Sequence, residues 1–287
     1  MVYLKNFKLL DAYMEHKVTE REIRRIFNSY YPLGIFPLKE FEYIEFENIT
    51  IFYGGNGSGK STLLNIISEK LGASRKSRID KGSIFDIYVD YCDYEMGYEK
   101  PLDIKVITSD DVFDYLLDVR AINANVNRKK EVLAKHYLDY KFSEDRTSIY
   151  DYDEFKTNYE AKNKSMSNFI RTRLGNNNII EQSNGESALL FWEKEITENS
   201  IYILDEPENS LSAENQLKLK QYIEESARFY NCQFIISTHS PFLLDLMEAK
   251  IYDLDSFPAT TKKWNELQNI KLYHDFFKER ESRFDNE

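Results

Sequence analysis

The chain has 287 residues, with 38 lysines and arginines against 49 aspartates and glutamates, a formal net charge of −11 at pH 7. Apolar residues at 42% and aromatics at 15% suffice for a sizeable core and argue against a disordered chain. No run reaches the roughly 18 to 20 apolar residues of a spanning helix, and Lys5 and Lys8 interrupt the N-terminus where a signal peptide would be apolar. Cys92 and Cys232 supply neither a disulfide scaffold nor a metal-ligand spacing. The expectation is a soluble cytoplasmic protein without membrane contact. The acidic excess disfavours a broad nucleic-acid-binding surface, so nucleic acid stays a possible but unsupported partner.

In chain order, residues 43–52 alternate and then run apolar, as one strand feeding Gly54. Residues 61–71 read as a helix with Leu63, Leu64, Ile66 and Ile67 as its apolar positions. Residues 84–91 and 104–108 read as short strands. The pattern over 112–140 and 152–174 is helical and charged, and Asn176 to Asn178 form a turn cluster. A helix over 186–196, a buried strand over 201–204, a long amphipathic helix over 213–230 and a second apolar strand over 234–236 follow. Strand–helix alternation at both ends predicts an α/β domain with a mostly parallel sheet. The polar middle predicts an inserted helical subdomain at about 109–180 of a single domain over 1–287.

Gly54, Gly55, Asn56, Gly57, Ser58, Gly59, Lys60, Ser61 and Thr62 fit G-x-x-x-x-G-K-[ST] between a strand and a helix. Such a loop turns successive backbone N–H groups around phosphate oxygens, and the helix N-terminus adds a favourable field. Lys60 is expected to reach the β- and γ-phosphates, and the Ser61 hydroxyl to ligate Mg²⁺. The strand ending in Asp205 and Glu206 offers a second Mg²⁺ ligand, Asp205, and a general base for water, Glu206.

Four segments, GGNGSGKST, SNGES, ILDEPENSLS and ISTHSP, occur in this order. Together they resemble the ABC-type P-loop ATPases of the SMC-like branch. The nearest likeness is to small stand-alone bacterial predicted AAA/ABC ATPases with an SxGES signature. The resemblance implies ATP and Mg²⁺ as ligands and an ATP-dependent homodimer. In it, Ser183 and Gly185 of one copy face the γ-phosphate held by Lys60 and Ser61 of the other. It makes His239 the switch histidine and residues 209–212 the D-loop. Two departures stand out. No glutamine lies between Lys60 and Gln182, so Ser109, Asp110 or Asp111 would replace the Mg²⁺-binding glutamine of transporter ATPases. Glu186 stands where the signature usually has glutamine, which would weaken dimerisation or make it partner-dependent.

Tyr30, Tyr31 and Phe36 are candidates to stack on adenine, with ordinary packing as the alternative. The basic runs 21–25, 75–81, 128–130 and 171–173 read as solvated faces, although Arg171 and Arg173 could lean towards nucleotide. The acidic, tyrosine-rich stretches 88–99 and 144–160 read as surface able to dock a protein. The expected function is ATP hydrolysis that drives or gates a protein effector, with a bacterial defence or toxin-linked setting implied by the resemblance. An ATP-gated switch with little turnover, or a transporter ATPase subunit, are the alternatives.

Overall fold

The computed structural model describes residues 1–22, 29–79, 81–142, 152–174, 184–209 and 211–284. The chain divides into two compact units, Met1–Phe113 with Ala188–Glu287, and Asp114–Ser187. The elements in order are β1 (Leu4–Lys8), α1 (Ala12–Glu22), β2 (Tyr43–Glu45), β3 (Ile49–Tyr53), α2 (Lys60–Leu71), α3 (Phe85–Tyr91), β4 (Asp93–Met96), β5 (Asp103–Thr108) and α4 (Ser109–Phe142). There follow α5 (Tyr152–Asn163), α6 (Met166–Leu174), α7 (Asn184–Glu195), β6 (Ser200–Asp205), α8 (Ala213–Phe229), β7 (Gln233–Ser237), β8 (Lys250–Asp253), β9 (Thr260–Thr261) and α9 (Gln268–Lys278).

The first unit carries a six-stranded sheet in the order β5-β6-β7-β3-β8-β9, parallel except for β9. Parallel strands are covered on both faces and therefore read as continuous apolar runs. Accordingly β3 and β7 are buried throughout, and β6 is buried up to its last residue. The pairings Thr108 with Asp205, Asp205 with Ser237, and Phe52 with Ser237 align the carboxyl ends of β5, β6, β7 and β3. Open parallel sheets bind ligands along that edge.

A second, antiparallel sheet has the order β2-β1-β4. It is tied to the first by Gln233 in β7, whose side chain is fully buried. The Gln233 Oε1 accepts the N–H groups of Tyr3 and Leu4 at 3.0 and 2.8 Å. Its Nε2 donates to the carbonyls of Leu4 and Glu47 at 2.9 and 3.1 Å.

The second unit is helical, formed by most of α4 with α5, α6 and the start of α7. Tyr137, Ala161 and Phe169 make its small core. Arg173 lies 3.8 Å from the Phe169 ring centroid and pairs with Glu160 at 2.9 Å. That side chain is thus engaged inside its own unit.

Several expectations are corrected. Residues 84–91 are not a strand: Ile84, Phe85, Tyr88 and Val89 are buried while Asp86 and Asp90 are exposed, which is one face of a helix at spacings of one, four and five. Tyr88 is thereby core, not docking surface. Residues 43–52 split into β2 and β3, which belong to different sheets. The 176–178 turn cluster lies outside the described residues. No helix among the described residues is long and apolar enough to cross a membrane.

Replacing Gln233 by leucine removes the partners of four backbone groups. Each buried group left unpaired costs about 1–3 kcal/mol. Urea unfolding of Gln233→Leu is expected to show a loss of about 3 kcal/mol or more, whereas Gln221→Leu on the exposed face of α8 changes stability by less than about 0.5 kcal/mol.

Candidate functional site

The loop after β3 is held by bonds from its own lysine. Lys60 is 5% exposed, and its Nζ donates to the carbonyls of Gly54 and Gly55 at 2.9 and 3.1 Å. Burial lowers the Lys60 ammonium from its ordinary value, against the opposing pull of Glu206, Asp205, Asp255 and Glu208. Gly59 caps α2 at φ +100°, and a Cβ there would stand 2.9 Å from Ile35 Cγ2. At Gly54 a Cβ would stand 2.6 Å from Ser58 Oγ. The Ser58 hydroxyl itself is buried with no hydrogen-bond partner among the described residues. Asn56 and Gly57 are exposed at the mouth, and Thr62 follows half-buried in α2.

The ends of β6 and β7 converge on this loop. The Ser61 Oγ donates to Asp205 Oδ1 at 3.1 Å, and the Ser237 hydroxyl donates to the same oxygen. Burial pushes the Asp205 carboxyl up, with the two serine hydroxyls pulling the other way. Glu206 takes a left-handed conformation at φ +49°, with its N–H bonded to the Ser237 carbonyl at 3.0 Å. Asn209 Nδ2 holds Glu206 Oε2 at 3.0 Å. The other oxygen, Oε1, lies 3.2 Å from His239 Nε2, close enough for an ion pair but not aligned as a hydrogen bond, so Nε2 has no such partner among the described residues.

Glu208 is the residue that sequence reasoning passed over. It is buried, and its Oε1 accepts the Thr238 hydroxyl at 2.6 Å and the N–H groups of His239 and Ser240 at 2.7 and 3.1 Å. It thus clamps the segment bearing His239 onto the turn bearing Glu206. Its Oε2 is buried without a partner among the described residues, and burial pushes the carboxyl up. The third acid in Asp-Glu-Pro-Glu was the available signal. Asp255, after β8, was likewise missed: its Oδ2 accepts the Gly55 N–H at 2.6 Å.

Other expected residues fall elsewhere. Ser183 and Ser210 lie outside the described residues, and Gly185 sits in the first turn of α7. Ser212 caps α8 by accepting the Asn215 N–H at 3.3 Å. Asp111 is taken up in a capping box, accepting the Thr108 N–H and hydroxyl at 2.8 and 2.9 Å, which leaves Ser109 and Asp110 of the three proposed substitutes. Arg75 is half-buried rather than solvated, bonded to the Ser77 carbonyl and to Asn65 Oδ1 at 2.7 and 3.0 Å. Phe36 is buried in the core, and Tyr31 stacks on Phe85 with centroids 5.8 Å apart, so both serve packing.

A family model described as ABC transporter matches residues 42–209, more than half of the chain. The protein belongs to the ABC-type ATPase family. A second model, AAA ATPase domain, matches residues 179–244 of this ABC-type ATPase. The uncharacterized ABC transporter ATP-binding protein YfmM of Bacillus subtilis (strain 168) is 26% identical over 252 residues, covering 84% of this chain and 45% of YfmM. The chain therefore spans less than half the length of that relative. Among solved structures, the SMC head domain from Thermotoga maritima is 15% identical with a TM-score of 0.40, covering 91% of this chain and 98% of that one. An ABC transporter of proposed metal-chelate type, in an inward-facing conformation, is 17% identical with a TM-score of 0.35, covering 79% and 78%. Members of the ABC-type ATPase family bind ATP, typically with Mg²⁺.

The raised Glu208 carboxyl has a measurable consequence. Its folded form holds a proton above the ordinary value of 4.5, so the folded state binds more protons than the unfolded chain over that window. Stability then falls as pH rises through it. Urea unfolding across this range should show the stability of the ABC-type ATPase falling relative to Glu208→Gln as pH increases. A difference between the two proteins that stays flat or grows with pH would refute the assignment.

Proposed function

We propose that the protein hydrolyses ATP with Mg²⁺ at the loop Gly55 to Thr62. The observation that carries this reading is the convergence of Ser61, Asp205, Glu206 and His239 around the buried Lys60. The donors fit the ligands. The Ser58 hydroxyl, buried with no partner among the described residues, and the Lys60 ammonium, bonded to its own loop carbonyls, suit a triphosphate. Ser61 Oγ and Asp205 Oδ1, 3.1 Å apart, are hard oxygen donors at the separation of adjacent ligands around an ion with bonds of about 2.0–2.1 Å, the length Mg²⁺ requires. Mg²⁺ held by Ser61 and Asp205 would supply positive charge that offsets the charge of the phosphates.

The chain's own groups divide the remaining work. Gly57, Gly59 and Lys60 direct N–H groups and the ammonium at phosphate oxygens, the Ser58 hydroxyl joins them while its N–H stays on the Gly55 carbonyl at 3.2 Å, and Asn56 borders the mouth. Glu206, with Oε2 held by Asn209, accepts the proton of the attacking water at Oε1. His239, fixed through its backbone by Glu208, contacts the γ-phosphate with Nε2. Ser183 and Gly185 of a second copy close over that phosphate, so the ATP-bound form is a homodimer. Its opening and closing drives or gates a protein effector, in a defence or toxin-linked setting or as a switch with little turnover. The name of YfmM, an ABC transporter ATP-binding protein, favours a second reading, a transporter ATPase subunit, although the missing glutamine between Lys60 and Gln182 weighs against it.

Removing a general base commonly costs about 10² to 10⁴ in rate. Phosphate release by Glu206→Gln is expected to fall by about that factor while ATP binding persists, and light scattering should detect an ATP-dependent dimer of this variant. Lys60→Ala is expected to lose ATP binding. Wild-type turnover in Glu206→Gln would sink the assignment of the base.

A further inference from the structure

We infer that the turn between β8 and β9 is the nucleoside end of the site, with Phe257 the ring on which the base stacks. This rests on the proposed triphosphate reading. Strand β3 lies between β7 and β8. Glu206 and His239, which face the terminal phosphate in that reading, follow β6 and β7. A nucleotide lying along the loop after β3 therefore directs its nucleoside away from β7, to the side where β8 ends.

The β8–β9 turn is fastened to the phosphate loop on that side. Asp255 Oδ2 accepts the Gly55 N–H at 2.6 Å, and the Leu254 N–H donates to the Tyr53 carbonyl at 2.8 Å. Lys39 spans the turn: its Nζ donates to the Leu254 carbonyl, and its own carbonyl accepts the Ala259 N–H at 2.9 Å. Within this braced turn Phe257 is 73% exposed, and the Lys39 ammonium lies 5.6 Å from its ring centroid. A large apolar ring kept in water beside a fixed cation is a platform for a flat aromatic ligand. Of the rings ahead of the loop, Phe36 is buried and Tyr31 is stacked on Phe85. Tyr30, 60% exposed, is the rival left among the three rings that the sequence offered for adenine.

The test compares Mg-ATP with inorganic triphosphate on the full chain. Base–aromatic stacking lost to alanine corresponds to roughly a 5- to 150-fold change in affinity. Phe257→Ala is expected to weaken ATP by that factor and leave triphosphate affinity unchanged. Phe257→Trp is expected to retain ATP affinity and to show fluorescence, beyond that of wild type, quenched by ATP but not by triphosphate. Undiminished ATP affinity in Phe257→Ala, an unresponsive tryptophan, or a loss confined to Tyr30→Ala would each overturn the inference while leaving the triphosphate reading intact. A wild-type chain that binds neither ATP nor triphosphate would overturn both.

Discussion

The candidate site depends on one carboxylate oxygen. Asp205 Oδ1 receives hydroxyls from Ser61, at the start of α2, and Ser237, at the end of β7. Those residues are far apart in sequence, and one acceptor joins the helix after the phosphate loop to two strand ends. Burial raises the cost of charging Asp205, so the same two hydroxyls that organise the site also make its ionised form tolerable. Strand register makes this possible, because a parallel sheet aligns Asp205 beside Ser237 without any side chain having to reach.

Much of the site was legible because its chemistry is written locally. A phosphate loop needs its glycines, lysine and serine within nine consecutive positions, and acids at the end of an apolar run announce themselves in the same way. The strands β3, β5, β6 and β7 were legible from their continuous apolar runs. Glu208 and Asp255 were not, since each matters through backbone groups some 30 and 200 positions away. The antiparallel sheet escaped for the same reason: β1 and β4 are short and partly exposed, and what fixes β1 to the main sheet is the amide of Gln233. The misreading of α3 has a different origin. Seven residues rich in tyrosine and β-branched types suit a strand by composition, and only burial on a single face decided for helix.

Electrostatics separate the small site from the large surface. A chain with net charge −11 keeps four acids, Asp205, Glu206, Glu208 and Asp255, close enough to Lys60 to affect its ammonium. On the proposed reading, those four acids favour an anion that carries positive charge with it, as a metal-bound nucleotide does. The acidic excess thus bears on large polyanionic partners and not on a triphosphate.

The left-handed backbone at Glu206 has a consequence for variation at this position. A side chain other than glycine carries a penalty of about 1–2 kcal/mol in that conformation, so the fold alone would be better served by glycine. Selection for heat resistance without regard to turnover would therefore push position 206 towards glycine and strip out the carboxylate. With Glu206 in the proposed role of base, glutamate at this position sets folding against chemistry, and thermostable variants of this chain are best sequenced at codon 206 before slower phosphate release is ascribed to rigidity.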